Sequence, residues 1–146
     1  MTDLCFVDTN VLLYEKTPTA GMKHEAARAW IEALWQRQLG RLSSQVFVEF
    51  HANARKVNPS VSIAEIQFAL RRLFLWDYVL VDVPVIERAW EIEARFRTNW
   101  WDALIVAAAQ IAGCSYLLTE DLQDGQRFDG VTIVNPFTHD VASVLG

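Results

Sequence analysis

Cysteine and lysine are scarce in this chain of 146 residues, and long apolar runs are missing. The two cysteines, Cys5 and Cys114, lie in apolar surroundings with no CxxC pattern, so neither predicts a metal site. Because disulfides are rare inside cells, we expect two buried free thiols. No apolar stretch approaches the roughly 20 residues that a membrane-spanning helix needs, and no basic segment precedes the first apolar run. The sequence therefore predicts no membrane span and no signal peptide, and it favours a cytoplasmic protein.

The composition is typical of one folded domain, which we expect to span residues 1–146. Hydrophobic residues make up 52% of the chain and charged residues 21%, a balance that argues against disorder. The formal net charge is −5, whereas nucleic-acid binders usually have a basic surface. A protein of this charge that acts on RNA must gather its acidic groups in one place, so the position of the acids matters.

Short apolar runs alternate with stretches of helical periodicity along the chain. Strands are predicted at residues 4–7, 41–43, 78–81, 116–119 and 131–134. Helices are predicted at residues 11–16, 22–38, 44–56, 83–96 and 101–112, and another follows the capping box of Ser62 and Glu65. After residue 134 the sequence indicates only a short tail. This alternation predicts a single α/β domain with a parallel sheet covered by helices on both faces.

Four acidic residues stand at positions that ordinary surface acids rarely occupy. Asp8 and Asp121 follow predicted strands, and ligands of α/β sheets bind outside the carboxyl ends of strands. Glu49 and Asp102 lie in otherwise apolar helices, where a charged group is rare unless it is paired or bound to metal. If the four acids converge, their mutual repulsion favours a divalent cation, and oxygen ligands suit Mg²⁺ or Mn²⁺. Such an ion can activate water and stabilise charge on a phosphate.

Each acid taken singly also has a plain structural interpretation. Asp8 fits a helix N-cap, Asp102 complements a helix dipole, and Glu49 fits the polar face of an amphipathic helix. Asp121 and Asp124 are also common turn residues. The combination of all these positions, rather than any one of them, favours a common site.

The segments around these acids resemble the motifs of PIN-domain nucleases. The similar segments are Val-Asp-Thr-Asn-Val at 7–11, the acidic helix at 44–50, Trp-Asp-Ala-Leu-Ile at 101–105, Leu-Thr-Glu-Asp-Leu-Gln-Asp-Gly at 118–125 and the final strand at 134–137. They occur in the expected order over almost the whole chain. The small size and the form of the fourth motif are most similar to VapC-type toxins of bacterial toxin–antitoxin pairs.

The resemblance implies a Mg²⁺-dependent endoribonuclease that acts on structured RNA such as tRNA or rRNA, with Mn²⁺ as a substitute metal. It also implies five parallel strands, a homodimer and a small antitoxin that holds the enzyme inactive. Carried over by position, the metal-binding and catalytic residues are Asp8, Glu49, Asp102 and Asp121. By the same transfer, Asn10 and Thr119 orient these ligands, and Asp124 is an accessory acid.

Contacts to RNA and to a partner are less clearly indicated. The basic pairs that suit phosphate are Arg55–Lys56, Arg71–Arg72 and Arg95–Arg97, although solvated helix faces explain them equally well. The tryptophans that suit base stacking are Trp76, Trp90, Trp100 and Trp101, although core packing is the commoner role. Trp35 and Trp76 are apolar candidates for a partner surface, and the three histidines are isolated in sequence.

Other functions with an aspartate after the first strand fit less well. A phosphatase that forms an aspartyl-phosphate, or a receiver domain, needs a late lysine near the phosphate, and none follows Lys56. A non-catalytic PIN-like scaffold that only binds RNA or protein stays open as the alternative. Cleavage of RNA in the presence of Mg²⁺ separates an enzyme from such a scaffold.

Overall fold

One sheet of six strands forms the centre of the computed structural model, which describes residues 3–146. The predicted domain starts at residue 1, so its first two residues lie outside the described part. The strands are β1 (Cys5–Val7), β2 (Gly40–Ser43), β3 (Asp77–Val79), β4 (Tyr116–Leu118), β5 (Arg127–Phe128) and β6 (Val131–Val134). Their order in the sheet is β3-β2-β1-β4-β6-β5.

The five expected parallel strands are present, and a sixth strand extends the sheet. β5 pairs antiparallel with β6, whereas every other neighbouring pair is parallel. The expectation of five strands was therefore one strand short. β5 has only two residues, too few to show a period of alternation in the sequence.

The register of the central strands places two polar residues side by side. Val7 of β1 lies opposite Leu118 of β4. Asp8 and Thr119 come directly after these partners and are both buried. The carboxyl edge of the sheet therefore starts with a carboxylate next to a hydroxyl.

Helices cover both faces of the sheet, as predicted. The helices are α1 (Thr9–Glu15), α2 (Met22–Arg37), α3 (Ser44–Val57), α4 (Ile63–Leu73), α5 (Val83–Phe96), α6 (Trp100–Ile111) and α7 (Val141–Leu145), and a 3₁₀ turn spans Pro18–Ala20. The chain moves from β1 through β2 to β3 in one direction and then crosses back to β4. Because such crossovers are right-handed, α1–α4 cover one face, and α5 and α6 cover the other.

Capping residues set where several of these helices begin. The side chain of Ser62 accepts a hydrogen bond from the Glu65 backbone N–H, completing the predicted capping box of α4. Asp82 caps α5 and Asn99 caps α6 in the same manner. The C-terminal helix α7 was not predicted, because its five residues are too short to show a helical period.

The core lies between the sheet and the two helical layers. In α6 every side chain from residue 103 to residue 109 is buried. Cys5 and Cys114 are buried free thiols, as expected. Trp76 is 7% exposed. Its indole ring occupies the space in which a Cβ on Gly40 would lie. Trp76 therefore belongs to the core, and the expectation that it lies on a partner surface was wrong. Within residues 3–146 no helix is long and apolar enough to span a bilayer.

Candidate active site

The structure brings the four predicted acids to one cleft of about 210 Å³ at the carboxyl edge of the sheet. Asp8 and Asp121 come from the ends of β1 and β4, Glu49 comes from the middle of α3, and Asp102 comes from the first turn of α6. Four segments far apart in sequence therefore place carboxylates around the same space. The other residues that line it are Thr9, Asn10, Leu13, Gln45, Asn53, Trp101 and Ile105.

Asp8 is the most deeply buried of the four acids, with 5% of its surface exposed. Its Oδ1 accepts a hydrogen bond from the Thr9 backbone N–H at 2.7 Å, so it also caps α1. Its Oδ2 accepts one from the Thr119 hydroxyl at 2.8 Å. Burial raises the pKa of Asp8 to about 7, the charges of Asp121 and Glu49 add to the rise, and the two hydrogen bonds oppose it. The capping and active-site interpretations of Asp8 are thus compatible.

Asn10 and Thr119 connect Asp8 to Asp121 through hydrogen bonds. The Asn10 amide donates to Asp121 Oδ2 at 3.0 Å and to Thr119 Oγ1 at 3.1 Å, and it lies 3.4 Å from Asp8 Oδ2. Thr119 Oγ1 also accepts from the Asp121 backbone N–H at 3.1 Å. This network fixes the spacing between the two strand-end carboxylates, although Asp121 itself is exposed.

Glu49 is half-buried and held by two residues that the sequence did not identify. The Thr9 hydroxyl donates to Glu49 Oε1 at 2.9 Å. The Gln45 amide, one turn earlier on α3, lies 3.4 Å from Glu49 Oε2. Glu49 therefore faces the cleft rather than solvent. Thr9 and Glu49 are 40 positions apart, so no local pattern shows their contact.

Asp102 is half-buried at the start of α6, where Asn99 binds it twice. The Asn99 amide donates to Asp102 Oδ2 at 2.6 Å, and the Asp102 backbone N–H donates to Asn99 Oδ1 at 3.0 Å. Burial raises the pKa of Asp102, the Asn99 hydrogen bond opposes the rise, and the charge of Asp121 adds to it. The N-cap of α6 thus also orients a carboxylate of the cleft.

Asp124, the predicted accessory acid, does not line the cleft. Its Oδ1 accepts from the Asn135 backbone N–H at 2.8 Å, and its Oδ2 lies 2.7 Å from His139 Nε2. The His139 hydrogen bond is the main cause that lowers the pKa of Asp124. His139 is therefore paired, contrary to its isolated place in the sequence. The turn interpretation describes the position of Asp124 well, because it joins the turn after β4 to the segment after β6.

The aromatic and basic candidates divide into core and surface groups. Trp100 is half-buried and packs against the core, whereas Trp101 is 63% exposed and lines the cleft. Trp90 is 58% exposed on α5, away from the cleft. None of the basic pairs lines the cleft, and within residues 3–146 its lining includes no lysine or arginine. Arg95 is engaged with Asp129 at 2.9 Å.

The donor set of the cleft fits a hydrated divalent cation. All its charged donors are carboxylate oxygens, which suit Mg²⁺ or Mn²⁺. The buried Asn10 Oδ1 has no hydrogen-bond partner among the described residues, and a water molecule on a bound cation would supply the missing donor. As the side chains stand, no three acidic, histidine or cysteine residues within 3–146 are grouped closely enough to hold one ion.

Comparison with known proteins places this geometry in a family. The family model described as the PIN domain matches residues 5–129. The fold is similar to that of a toxin–antitoxin complex from Klebsiella pneumoniae, with a TM-score of 0.67 and 23% identity over 94% of this chain and 99% of that chain. No curated protein shows significant sequence similarity to the chain.

Two further solved structures share the fold. The VapC20 toxin of Mycobacterium tuberculosis, which cleaves the sarcin–ricin loop, has a TM-score of 0.59 and 23% identity over 80% of this chain and 91% of that chain. VapBC2 of Rickettsia felis, bound to a DNA fragment from its promoter, has a TM-score of 0.62 and 16% identity over 89% of this chain and 96% of that chain. At these identities the similarity establishes the fold alone.

Proposed function

The chain belongs to the PIN domain family, and from this premise we propose that it is a Mg²⁺-dependent endoribonuclease, the toxin of a toxin–antitoxin pair. The observation that carries the proposal is the convergence of Asp8, Glu49, Asp102 and Asp121 on one cleft. The nuclease domain that we propose is the one expected at residues 1–146. The substrate is structured RNA, tRNA or rRNA, a class supported by the sarcin–ricin loop specificity of the similar VapC20 toxin.

The residues of the cleft prepare it for a phosphodiester. Oδ1 of Asp102 and Oδ1 of Asp121 accept no hydrogen bond from residues 3–146 and are free to bind the cation. The bound cation supplies charge stabilisation and water activation at the scissile phosphate. Thr119 and Asn10 hold Asp8 and Asp121 in position before RNA arrives, and positioning of this kind lowers the barrier for a bimolecular reaction.

Cleavage of purified RNA tests this function directly. The protein, its Asp102→Asn variant and a Glu93→Gln variant are incubated with bacterial total RNA in Mg²⁺, in Mn²⁺ and in excess chelator. Glu93 is exposed on α5 and does not line the cleft, so Glu93→Gln removes one negative charge elsewhere on the protein. We expect discrete cleavage by wild type and Glu93→Gln with either metal, and none with chelator or Asp102→Asn. If the protein binds RNA but cleaves it with neither metal, the ribonuclease proposal is contradicted and the non-catalytic scaffold is supported.

We also propose a small antitoxin as the partner in the cytoplasm, supported by the toxin–antitoxin complexes that share the fold. A groove of about 530 Å³ between α1, α3 and α4 offers an apolar docking surface lined by Phe50, Ile66 and Phe68. Phe68 is 63% exposed there. A basic side chain of the antitoxin, an arginine, would neutralise the acidic cleft. Co-expression should restore growth, and Phe68→Glu in the toxin should weaken that rescue without lowering cleavage.

A homodimer is the proposed state of the toxin, supported by exposed apolar side chains near the edge strand β3. Tyr78, Leu80 and Val83 are 47%, 61% and 65% exposed. Phe47 of α3 makes an edge-to-face contact with Tyr78, with ring centroids 5.3 Å apart. Light scattering should give twice the monomer mass for wild type and the monomer mass for Leu80→Glu. A monomeric wild type contradicts this state.

A further inference from the structure

We propose that Trp101 is the base-stacking residue of this cleft and that its indole holds an unpaired nucleobase next to the cleaved phosphodiester. The proposal rests on the ribonuclease function proposed above. It goes further by assigning a substrate contact and by specifying the state of the nucleotide that the cleft accepts.

Two adjacent tryptophans start α6, and only one of them is used by the fold. Trp100 packs against the hydrophobic core. Trp101 is 63% exposed, and no aromatic ring in the described part of the chain stacks on it. A single exposed apolar residue needs no explanation by itself. Trp101, however, lines the same cleft as the four carboxylates and directly precedes Asp102.

The backbone beneath the Trp101 ring is anchored. The Gln45 amide lies 3.3 Å from the Trp101 carbonyl oxygen and 3.4 Å from Glu49 Oε2, so one side chain joins the start of α6 to α3. Asn99 caps the same turn of α6. The indole is therefore presented from a fixed point at the rim of the cleft, and a rigid aromatic platform binds with little loss of conformational entropy.

The charge of the cleft explains why a neutral contact is needed there. Its lining has four carboxylates and, among the described residues, no lysine or arginine that could attract the RNA backbone. A cation offsets part of this repulsion, but it does not hold the nucleotide in one orientation. Stacking on an aromatic ring is independent of charge and occurs with every base, because each base has a π-face.

The geometry also restricts which nucleotides can bind. A base inside a duplex has both faces covered by its neighbours, so Trp101 can stack only on a base that is unstacked in a loop or a bulge. Sequence-specific RNA recognition commonly uses such bases. Trp101 therefore selects single-stranded positions within a structured RNA while tolerating different bases.

The test combines a protein change with a substrate change. The probe is a synthetic hairpin RNA copied from the first cleavage site mapped in bacterial total RNA. Two further hairpins carry an abasic nucleotide on one side or the other of the cleaved bond. Wild type, Trp101→Ala, Trp101→Phe and Trp90→Ala are compared by kcat/KM in Mg²⁺. Trp90 is a matched control, because it is an exposed tryptophan that does not line the cleft.

We expect wild type and Trp90→Ala to lose roughly 10- to 100-fold on one of the abasic hairpins, in keeping with the contribution of one stacked base. Trp101→Ala should lose as much on the intact hairpin and nothing further on the abasic one, because both changes remove the same contact. Trp101→Phe should retain most of the activity. The wild-type response to the abasic hairpins does not depend on how well any variant folds.

Several results overturn the proposal. Equal cleavage of all hairpins by wild type excludes a stacked base, and additive losses in Trp101→Ala show that Trp101 is not the residue that stacks. If the losses in kcat/KM are additive and light scattering also shows a smaller oligomer mass for Trp101→Ala, the Trp101 ring contacts another protein subunit instead of a base. If wild type cleaves no bacterial RNA in Mg²⁺, no cleavage site can be mapped and the ribonuclease function itself fails. Cleavage of total RNA together with equal cleavage of all hairpins overturns only the role of Trp101, so the two failures are distinguishable.

Discussion

The two walls of the cleft hold their acids in different ways. The strand wall consists of Asp8 and Asp121 with Asn10 and Thr119, which form one continuous hydrogen-bonded network. The helix wall consists of Glu49 and Asp102, and no hydrogen bond within residues 3–146 joins these two side chains. Glu49 is held from Thr9 and Gln45, and Asp102 from Asn99.

The difference shows that one cleft can combine carboxylates fixed at the edge of a sheet with carboxylates carried by helices. Asp8 of the strand wall lies at the buried edge of the sheet. Because burial disfavours its ionised form, the pKa of Asp8 is raised to about 7. The helix wall is half-exposed, and its position depends on where α3 and α6 begin and end. We therefore expect changes in the strand wall to alter stability and catalysis together, whereas changes in the helix wall alter mainly catalysis.

The largest expected effect is the loss of RNA cleavage when an acid of either wall is replaced. Asp8→Asn and Asp102→Asn should each lower kcat/KM for RNA cleavage roughly a thousand-fold or more, as the loss of a direct electrostatic contribution to the transition state does. Glu93→Gln should cleave like wild type. Activity of Asp102→Asn within tenfold of wild type would show that the strand wall suffices alone and that the helix wall is not catalytic.

The next effect is a pH dependence of stability that comes mainly from Asp8 of the strand wall, and the raised pKa of Asp102 adds to it in the same direction. The folded pKa of Asp8 is raised, so the folded state binds more protons than the unfolded state between about pH 4 and pH 7. Metal-free stability should therefore be higher near pH 4 and fall as the pH rises to about 7, by up to about 4 kcal/mol for a shift of this size. Urea unfolding in chelator across this range should show a flatter profile for Asp8→Asn. An equally steep profile in that variant assigns the dependence to another group.

Removing the central hydroxyl of the strand wall should have a somewhat smaller effect. Thr119 is fully buried, and its hydroxyl binds Asp8, Asn10 and the Asp121 backbone. Thr119→Val leaves these groups without their partner and should lower the free energy of unfolding by about 1–3 kcal/mol, with a 10- to 100-fold loss of cleavage. Thr119→Ser keeps the hydroxyl and is the control. Comparable losses in the serine and valine variants would mean that packing, not hydrogen bonding, explains the effect.

The smallest effect separates capping from positioning in the helix wall. Asn99→Ala should cost about 1 kcal/mol of stability through loss of the N-cap. Asn99→Ser keeps a capping oxygen but cannot donate an amide hydrogen to Asp102. It should melt close to wild type yet cleave less well, with a loss of roughly tenfold. Full cleavage by the serine variant would show that Asp102 needs no support from Asn99.

The sequence predicted the elements better than the connections between their side chains. Strand ends and capping residues leave local signals, and Asp8 and Ser62 were found through them. The support of Glu49 by Thr9 joins residues 40 positions apart, and that of Asp8 by Thr119 joins residues 111 positions apart. Only the register of β1 against β4 and the packing of α1 on α3 bring such pairs together, so local patterns cannot show them.

The pairing of Asp124 with His139 illustrates the same limit. Asp124 belongs to an acidic motif in the sequence, but both of its carboxylate oxygens are engaged with the segment after β6. The two residues are 15 positions apart and neither lines the cleft. A motif therefore identified the segment, and the tertiary structure decided which of its acids reach the site.

If the two walls form one metal site, as we propose, thermal melting in Mg²⁺ should depend on acids from both of them. Wild type, Asp8→Asn, Asp102→Asn and the Glu93→Gln control are melted in chelator and in rising Mg²⁺. Each tenfold excess of Mg²⁺ over its Kd should add roughly 1.4 kcal/mol to the stability of wild type and Glu93→Gln. Asp102→Asn should melt no lower than wild type in chelator, because a like charge has been removed, and both cleft variants should respond much less to Mg²⁺. A Mg²⁺ shift in Asp102→Asn equal to that of wild type would contradict a site shared by the two walls.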